Sequence, residues 1–154
     1  MFYLICFILI IVVILLITSC QIDIIYGGQN SIKKDNTMEI KAFTDIHWVK
    51  NTKNFDCGCG PYYKYINKYL RQFNIKNVPY DPYVLPIYIN EYALKLVKKQ
   101  IFDTATSMSV LNVINDKSSR IDHIKLIKSA LKKNGIAYFK IYTGDKNANK
   151  FYQN

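Results

Sequence analysis

Two carboxylates and a pair of glycines are the residues in this chain whose types and spacing suit a chemical task. Asp56-Cys57-Gly58-Cys59-Gly60 follows a strand-like Asn54-Phe55 and precedes an amphipathic stretch. A turn this tight needs residues without a Cβ, so that the backbone can approach a ligand. About 20–25 residues later a second strand-like run, Ile75 to Asp81, ends in a carboxylate that can accept hydrogen bonds from both hydroxyls of a ribose. A pyrophosphate site would add a lysine or a third glycine to the first turn, and neither is present. The pattern therefore favours a nucleoside ligand without phosphates.

The elements that position these residues follow from hydrophobic spacing. A short helix or extended piece is expected from Glu39 to Lys50. Ile66, Tyr69, Leu70 and Phe73 lie on one helical face, with Lys64, Lys68 and Arg71 opposite. A second helix is expected over Glu91 to Lys99. The small and β-branched run Phe102 to Met108 reads as a buried strand. Ile121, Ile124, Ile127 and Leu131 mark a further helix, closed by Asn134-Gly135 as its C-cap, and Ile136 to Tyr142 reads as a strand. Strands alternating with helices predict an α/β fold, a mostly parallel sheet flanked by helices on both faces. Ligands of such sheets bind at the carboxyl ends of the strands.

With these elements in place, the chain resembles the class I S-adenosylmethionine-dependent methyltransferases. The resemblance rests on Phe55 to Pro61 as the glycine-rich first motif, Tyr80-Asp81-Pro82-Tyr83 as the acidic second motif, Phe102-Asp103 running to Ile114 as the fourth-strand motif, and Leu131 to Tyr138 as the helix and strand that follow. It covers roughly residues 50–145. It implies a Rossmann-like sheet and S-adenosylmethionine as cofactor, with Asp56, Gly58 and Gly60 lining its methionine end, Asp81 binding its ribose, and Ser107 and Met108 beside the adenosine and the transferred methyl. In this sequence Tyr62 stands where the family has a third small residue, and only about ten residues follow the fifth strand, which predicts an open sheet edge beside it. Those two features point to an alternative reading, a catalytically inactive, membrane-anchored Rossmann-like binding or structural protein.

Methyl transfer asks the protein mainly for proximity and orientation and, for some acceptors, for a base. No catalytic base is identified: Asn112 reads as a turn residue, Asp116 as an N-cap and Arg120 as a solvated helix charge. His47, beside Trp48, is expected to pack against the sheet. Cys57 and Cys59 lack the further paired ligands of a tetrahedral metal site, since His47 and His123 are the only histidines, so no metal is expected. The formal net charge of +10 is spread in pairs such as Lys98-Lys99 and Lys132-Lys133, with no groove-binding motif, which does not support a nucleic-acid partner. Tyr62, Tyr63 and Tyr65 could stack on bases, but their spacing also suits a helix covering a sheet, the more frequent use of such residues. Neither the methyl acceptor nor an oligomeric state is legible.

The charge is also unevenly distributed along the chain. The first charged residue is Asp23, so all 21 Lys+Arg and 11 Asp+Glu lie from Ile22 onward, behind an apolar run from Met1 to Ile17. Residues 1–20 are therefore expected to be a transmembrane or signal-like segment forming an N-terminal hydrophobic helix, residues 21–37 a linker, and residues 38–154 a methyltransferase-like domain. Contact with a membrane would run through residues 2–19. Lys33, Lys34, Lys41, Lys50 and Lys53 all follow the apolar run, which for a single-pass anchor places the domain in the cytosol. A cleaved signal peptide, a lipidated Cys20 after Ile17-Thr18-Ser19, and a cytoplasmic protein begun at Met38 are the other readings of this segment. With 154 residues and 14% aromatic residues, this sequence is expected to form one small domain rather than a multidomain enzyme or a disordered chain.

Overall fold

A computed structural model describes residues 21–27 and 37–142 of the chain. The hydrophobic helix expected over residues 1–20 lies outside the described residues, among which no helix is long and apolar enough to cross a membrane. Five strands and four helices follow one another: β1 (Gln21–Gly27), α1 (Thr37–Thr44), β2 (Lys53–Cys57), α2 (Tyr63–Arg71), β3 (Lys76–Tyr80), α3 (Ile87–Val97), β4 (Phe102–Met108), α4 (Lys117–Ala130) and β5 (Leu131–Tyr142). All strand pairs are parallel, in the spatial order β1-β5-β4-β2-β3. The chain is thus α/β, with a parallel sheet covered by helices.

Topology and covering are linked. From β1 through β2 to β3 the chain steps toward one edge of the sheet, and from β3 through β4 to β5 it steps back. A constant crossover hand then demands that the outward helices lie on one face and the returning helices on the other. The packing agrees. Ala42 and Phe43 of α1 and Ile66 and Leu70 of α2 form one cluster with Ile46, Trp48 and Ile75. Ala93 and Val97 of α3 join Ile127 and Ala130 of α4 in the other, over Phe55, Val78, Ala105, Ala137 and Phe139 of the sheet. Within that second cluster Phe55 packs between Phe102 and Tyr80, at ring-centroid distances of 5.3 and 5.9 Å.

Four details differ from the sequence-based expectation. β1 lies inside the stretch read as a linker and pairs along its whole length with β5, from Gln21 opposite Ile136 to Gly27 opposite Tyr142. The sheet edge expected to be open beside β5 is therefore occupied. The last helix ends at Ala130 rather than at Asn134-Gly135, because buried Leu131 turns to extended backbone and bridges to Phe102. Asn134, at φ 64, then lies in the register shift before Ile136 meets Thr104. Finally, α3 begins at Ile87, directly after Pro86, instead of at Glu91.

Candidate functional site

The crevice of this sheet lies between the carboxyl ends of β2 and β4, neighbouring strands whose connections leave in opposite directions. The turn after β2 is bent by Gly58 (φ 80) and Gly60 (φ 61), a conformation that L side chains rarely adopt. It is tied to the end of β3, since the Gly58 and Cys59 N–H groups donate to the Tyr80 carbonyl at 2.7 and 3.3 Å. From the other side, the Val110 side chain of the loop after β4 lies where a Cβ on Gly58 would be. A Cβ on Gly60 would instead meet nothing within 4 Å, so the backbone there borders open space.

Asp81 joins the two strand ends. Its Oδ2 accepts from the Gly60 N–H at 3.0 Å, and its Oδ1 accepts from the N–H groups of Tyr83 at 3.0 Å and Val84 at 3.2 Å. Three of roughly four acceptor positions are thus spent on the protein's own backbone. The position that remains, on Oδ2, suits one hydroxyl of a ribose rather than both. The loop that carries Asp81 is clamped by buried Asn90 of α3, whose Oδ1 accepts from the Asp81 N–H at 2.9 Å and whose Nδ2 donates to the carbonyls of Asp81 and Leu85.

Asp56 lies one residue before the end of β2, on the face covered by α1 and α2, and is buried. Its Oδ1 accepts from the Thr106 hydroxyl at 3.0 Å and its Oδ2 from Asn77 Nδ2 at 3.4 Å. This pairing is the end of a polar ladder across three strands. Asn54 Nδ2 donates to Asn77 Oδ1 at 2.7 Å and to Thr106 Oγ1 at 2.9 Å, the Thr104 hydroxyl donates to Asn54 Oδ1 at 2.9 Å, and Asn77 reaches Asn67 of α2 at 2.7 Å. Buried polar groups are tolerable only when each finds such a partner.

Ser107 and Met108, expected side by side at the ligand, point to opposite faces, as neighbours in a strand must. Met108 packs against the cluster of α1 and α2. Ser107, 1% exposed, faces α4, where its Oγ lies 2.8 Å from Nε2 of His123. The other ring nitrogen, Nδ1, is 3.8 Å from Sγ of Cys57. His123 therefore bridges the ends of the two strands that flank the crevice, a role the sequence reading did not foresee. Its position four residues before Ile127 and seven before Ala130, both buried, places it on the sheet-facing side of the helix. Burial holds the His123 imidazole below its ordinary value of 6.5 and so favours the neutral ring. Burial, with Asp56 and Asp81 nearby, drives the thiols of Cys57 and Cys59 far above their ordinary value. Both are therefore neutral and unactivated as nucleophiles at physiological pH.

The remaining candidates take structural positions. Asp116 caps α4, accepting from the Ser119 N–H at 2.7 Å and the Ser118 hydroxyl at 2.6 Å, and its carboxyl is held well below the usual range by those bonds. Asn112 lies in the turn after β4. Arg120 is half-buried rather than fully solvated, with Nη2 3.4 Å from the Asn115 carbonyl. His47 is exposed and does not pack against the sheet, whereas Trp48 beside it is buried, donating from Nε1 to the Phe43 carbonyl at 2.7 Å. Among the described residues no group of three or more His, Cys, Asp or Glu side chains is placed to hold a metal ion. Comparison with protein-family models, with curated proteins and with solved structures found no match.

Proposed function

We propose that the domain is Rossmann-like, that it binds S-adenosylmethionine at the carboxyl end of its sheet, and that it transfers the methyl group to an acceptor whose identity is open. The observation that carries this reading is the glycine turn after β2, which borders open space at Gly60 and is bonded through the Gly60 N–H to the carboxylate at the end of β3. Gly58 and Gly60 would admit the methionine end, Asp56 would lie beneath it, and Asp81 would take one ribose hydroxyl. Ser107, turned toward His123, would contribute through the shape of the crevice floor rather than by touching the adenosine. The cofactor, when bound, supplies a sulfonium-activated methyl, and the chain supplies orientation and exclusion of water.

Calorimetric titration of the full chain with S-adenosylmethionine tests the reading. Binding is expected, and Gly60→Ala is expected to weaken it at least tenfold while costing only about 1–2 kcal/mol of stability for a Cβ at positive φ. A wild-type chain that takes up no S-adenosylmethionine would remove the reading. A second reading, a non-enzymatic binding or structural domain, draws on the occupation of Asp81 by three backbone donors. Asp81→Ala separates the two, since a purely structural carboxylate lowers stability when removed and leaves any ligand affinity of the folded fraction unchanged.

A further inference from the structure

The outer side of α3 and the loop before it carry a concentration of side chains that the cofactor site does not use. Tyr83 is 96% exposed, Ile87 75%, Tyr88 69% and Tyr92 49%, with Val84 also exposed. None of these tyrosines has a ring partner among the described residues. The helix buries Asn90, Ala93 and Val97, so the opposite stripe of Tyr88, Tyr92 and Lys95, at steps of four and three, faces outward, and exposed Lys98 and Lys99 follow directly after its end. Lys95, Lys98 and Lys99 form no ion pair among the described residues, and Glu91 is the only acid between Tyr83 and Lys99. The surface is thus aliphatic and aromatic at one end and cationic at the other.

That composition selects among partners. A single nucleic-acid strand would stack on the tyrosines and pair with the lysines, yet would leave Val84 and Ile87 in water. A bilayer surface uses all of them: aliphatic side chains enter the acyl boundary, tyrosines sit at headgroup depth, and lysines extend to anionic phosphates. The chain itself carries an uncharged apolar run from Met1 to Ile17 that ends close to the first residue of β1. A membrane-inserted run would hold the domain beside the bilayer, where each nearby lysine changes the affinity for an anionic surface on the order of fivefold.

We propose that residues 83–99 form a docking surface for an anionic lipid bilayer, which lays the outer side of α3 and the loop before it against the headgroups. The proposal goes beyond the cofactor reading and does not depend on it. It is tested by lysine acylation, read by mass spectrometry, on the full chain reconstituted in phosphatidylcholine vesicles with and without phosphatidylglycerol. Labelling of Lys95, Lys98 and Lys99 is expected to slow several-fold with phosphatidylglycerol, while Lys64 and Lys68 of α2, on the opposite face, keep their rates. Ile87→Asp with Tyr88→Asp is expected to restore fast labelling at all three lysines, without loss of the fold because both side chains are exposed. Equal rates on the two helices in vesicle-bound protein would overturn the proposal, as would a full chain that remains in the aqueous phase. Protection by a single-stranded oligonucleotide but not by phosphatidylglycerol would overturn it in favour of nucleic acid. None of these rates depends on S-adenosylmethionine, so the two readings fail separately.

Discussion

The two faces of the sheet solve the same problem by different physics. Beneath α3 and α4 strands β2 to β5 present Phe55, Val78, Ala105, Ala137 and Phe139, and burial of apolar area holds the layers together. Beneath α1 and α2 two of these strands, β2 and β4, present Asn54, Asp56, Thr104 and Thr106, all buried and all hydrogen-bonded to one another or to Asn77. Moving β4 by one residue against β2 would turn Ala105 to the polar face and separate Thr104 from Asn54 and Thr106 from Asp56 together, so the hydrogen bonds add a pairwise check to the register that burial already favours. On the second face the apolar contacts come from the helices and their flanking loops, Ala42, Phe43, Ile46, Trp48, Ile66, Leu70 and Ile75, while β2 and β4 contribute polar pairs, and the candidate site lies at the strand ends that both faces align.

Four measurements sharpen or break that contrast. Phe55→Ala removes the ring between Phe102 and Tyr80 and is expected to cost about 3–5 kcal/mol in chemical denaturation, the largest effect of the set. Asn54→Ala deprives Thr104, Thr106 and Asn77 of a buried partner and is expected to cost about 2–3 kcal/mol. Adding Thr104→Val should recover part of this loss, and a double variant no better than the sum of the singles would argue against a coupled ladder. The third measurement concerns His123. Its folded pKa lies below 6.5, so the unfolded chain takes up the proton first as pH falls. Stability is then fully present above pH 6.5 and declines below it until the folded ring is itself protonated, with a slope of at most about 1.4 kcal/mol per pH unit. His123→Gln is expected to remove that slope, as followed by thermal unfolding between neutral and acidic pH. The smallest effect is expected from Lys132→Ala, which breaks the 2.7 Å ion pair with Asp103. Burial pushes the Asp103 carboxyl up, but its bonds to Lys132 and to the Lys53 N–H outweigh this and hold it below its ordinary range. The pair is largely exposed, so the loss should stay below about 1 kcal/mol and vanish as acid protonates Asp103.

Much of the fold was legible because its determinants are local. The alternation of strands with amphipathic helices predicted a parallel sheet, and Asp56, Gly58, Gly60 and Asp81 were readable as the ends of adjacent strands because turns and strand ends have compositional marks. What was not legible depends on distant partners. Strand β1 needs β5, more than 100 residues away in sequence, to be a strand at all. Asn54 reads as an anomaly within a short strand until Thr104 and Asn77 stand beside it. His123 has no compositional mark of its contacts with Ser107 and Cys57, which lie on strands 16 and 66 residues earlier, and only its helical spacing to Ile127 indicates burial. The opposite directions of Ser107 and Met108 follow from strand alternation alone, whereas a motif that spans both residues carries no face information.

The placement of β1 gives the start of translation a physical consequence. A protein begun at Met38 would lack β1 and would leave β5, a strand of 12 residues bearing Phe139 and Ile141, with an unpaired row of backbone donors and acceptors. Such an edge recruits strands from other molecules. The first strand thus moves the sheet edge from the 12-residue β5 to a strand of 7 residues, and the shorter product would be distinguished by a stronger tendency to pair edge to edge.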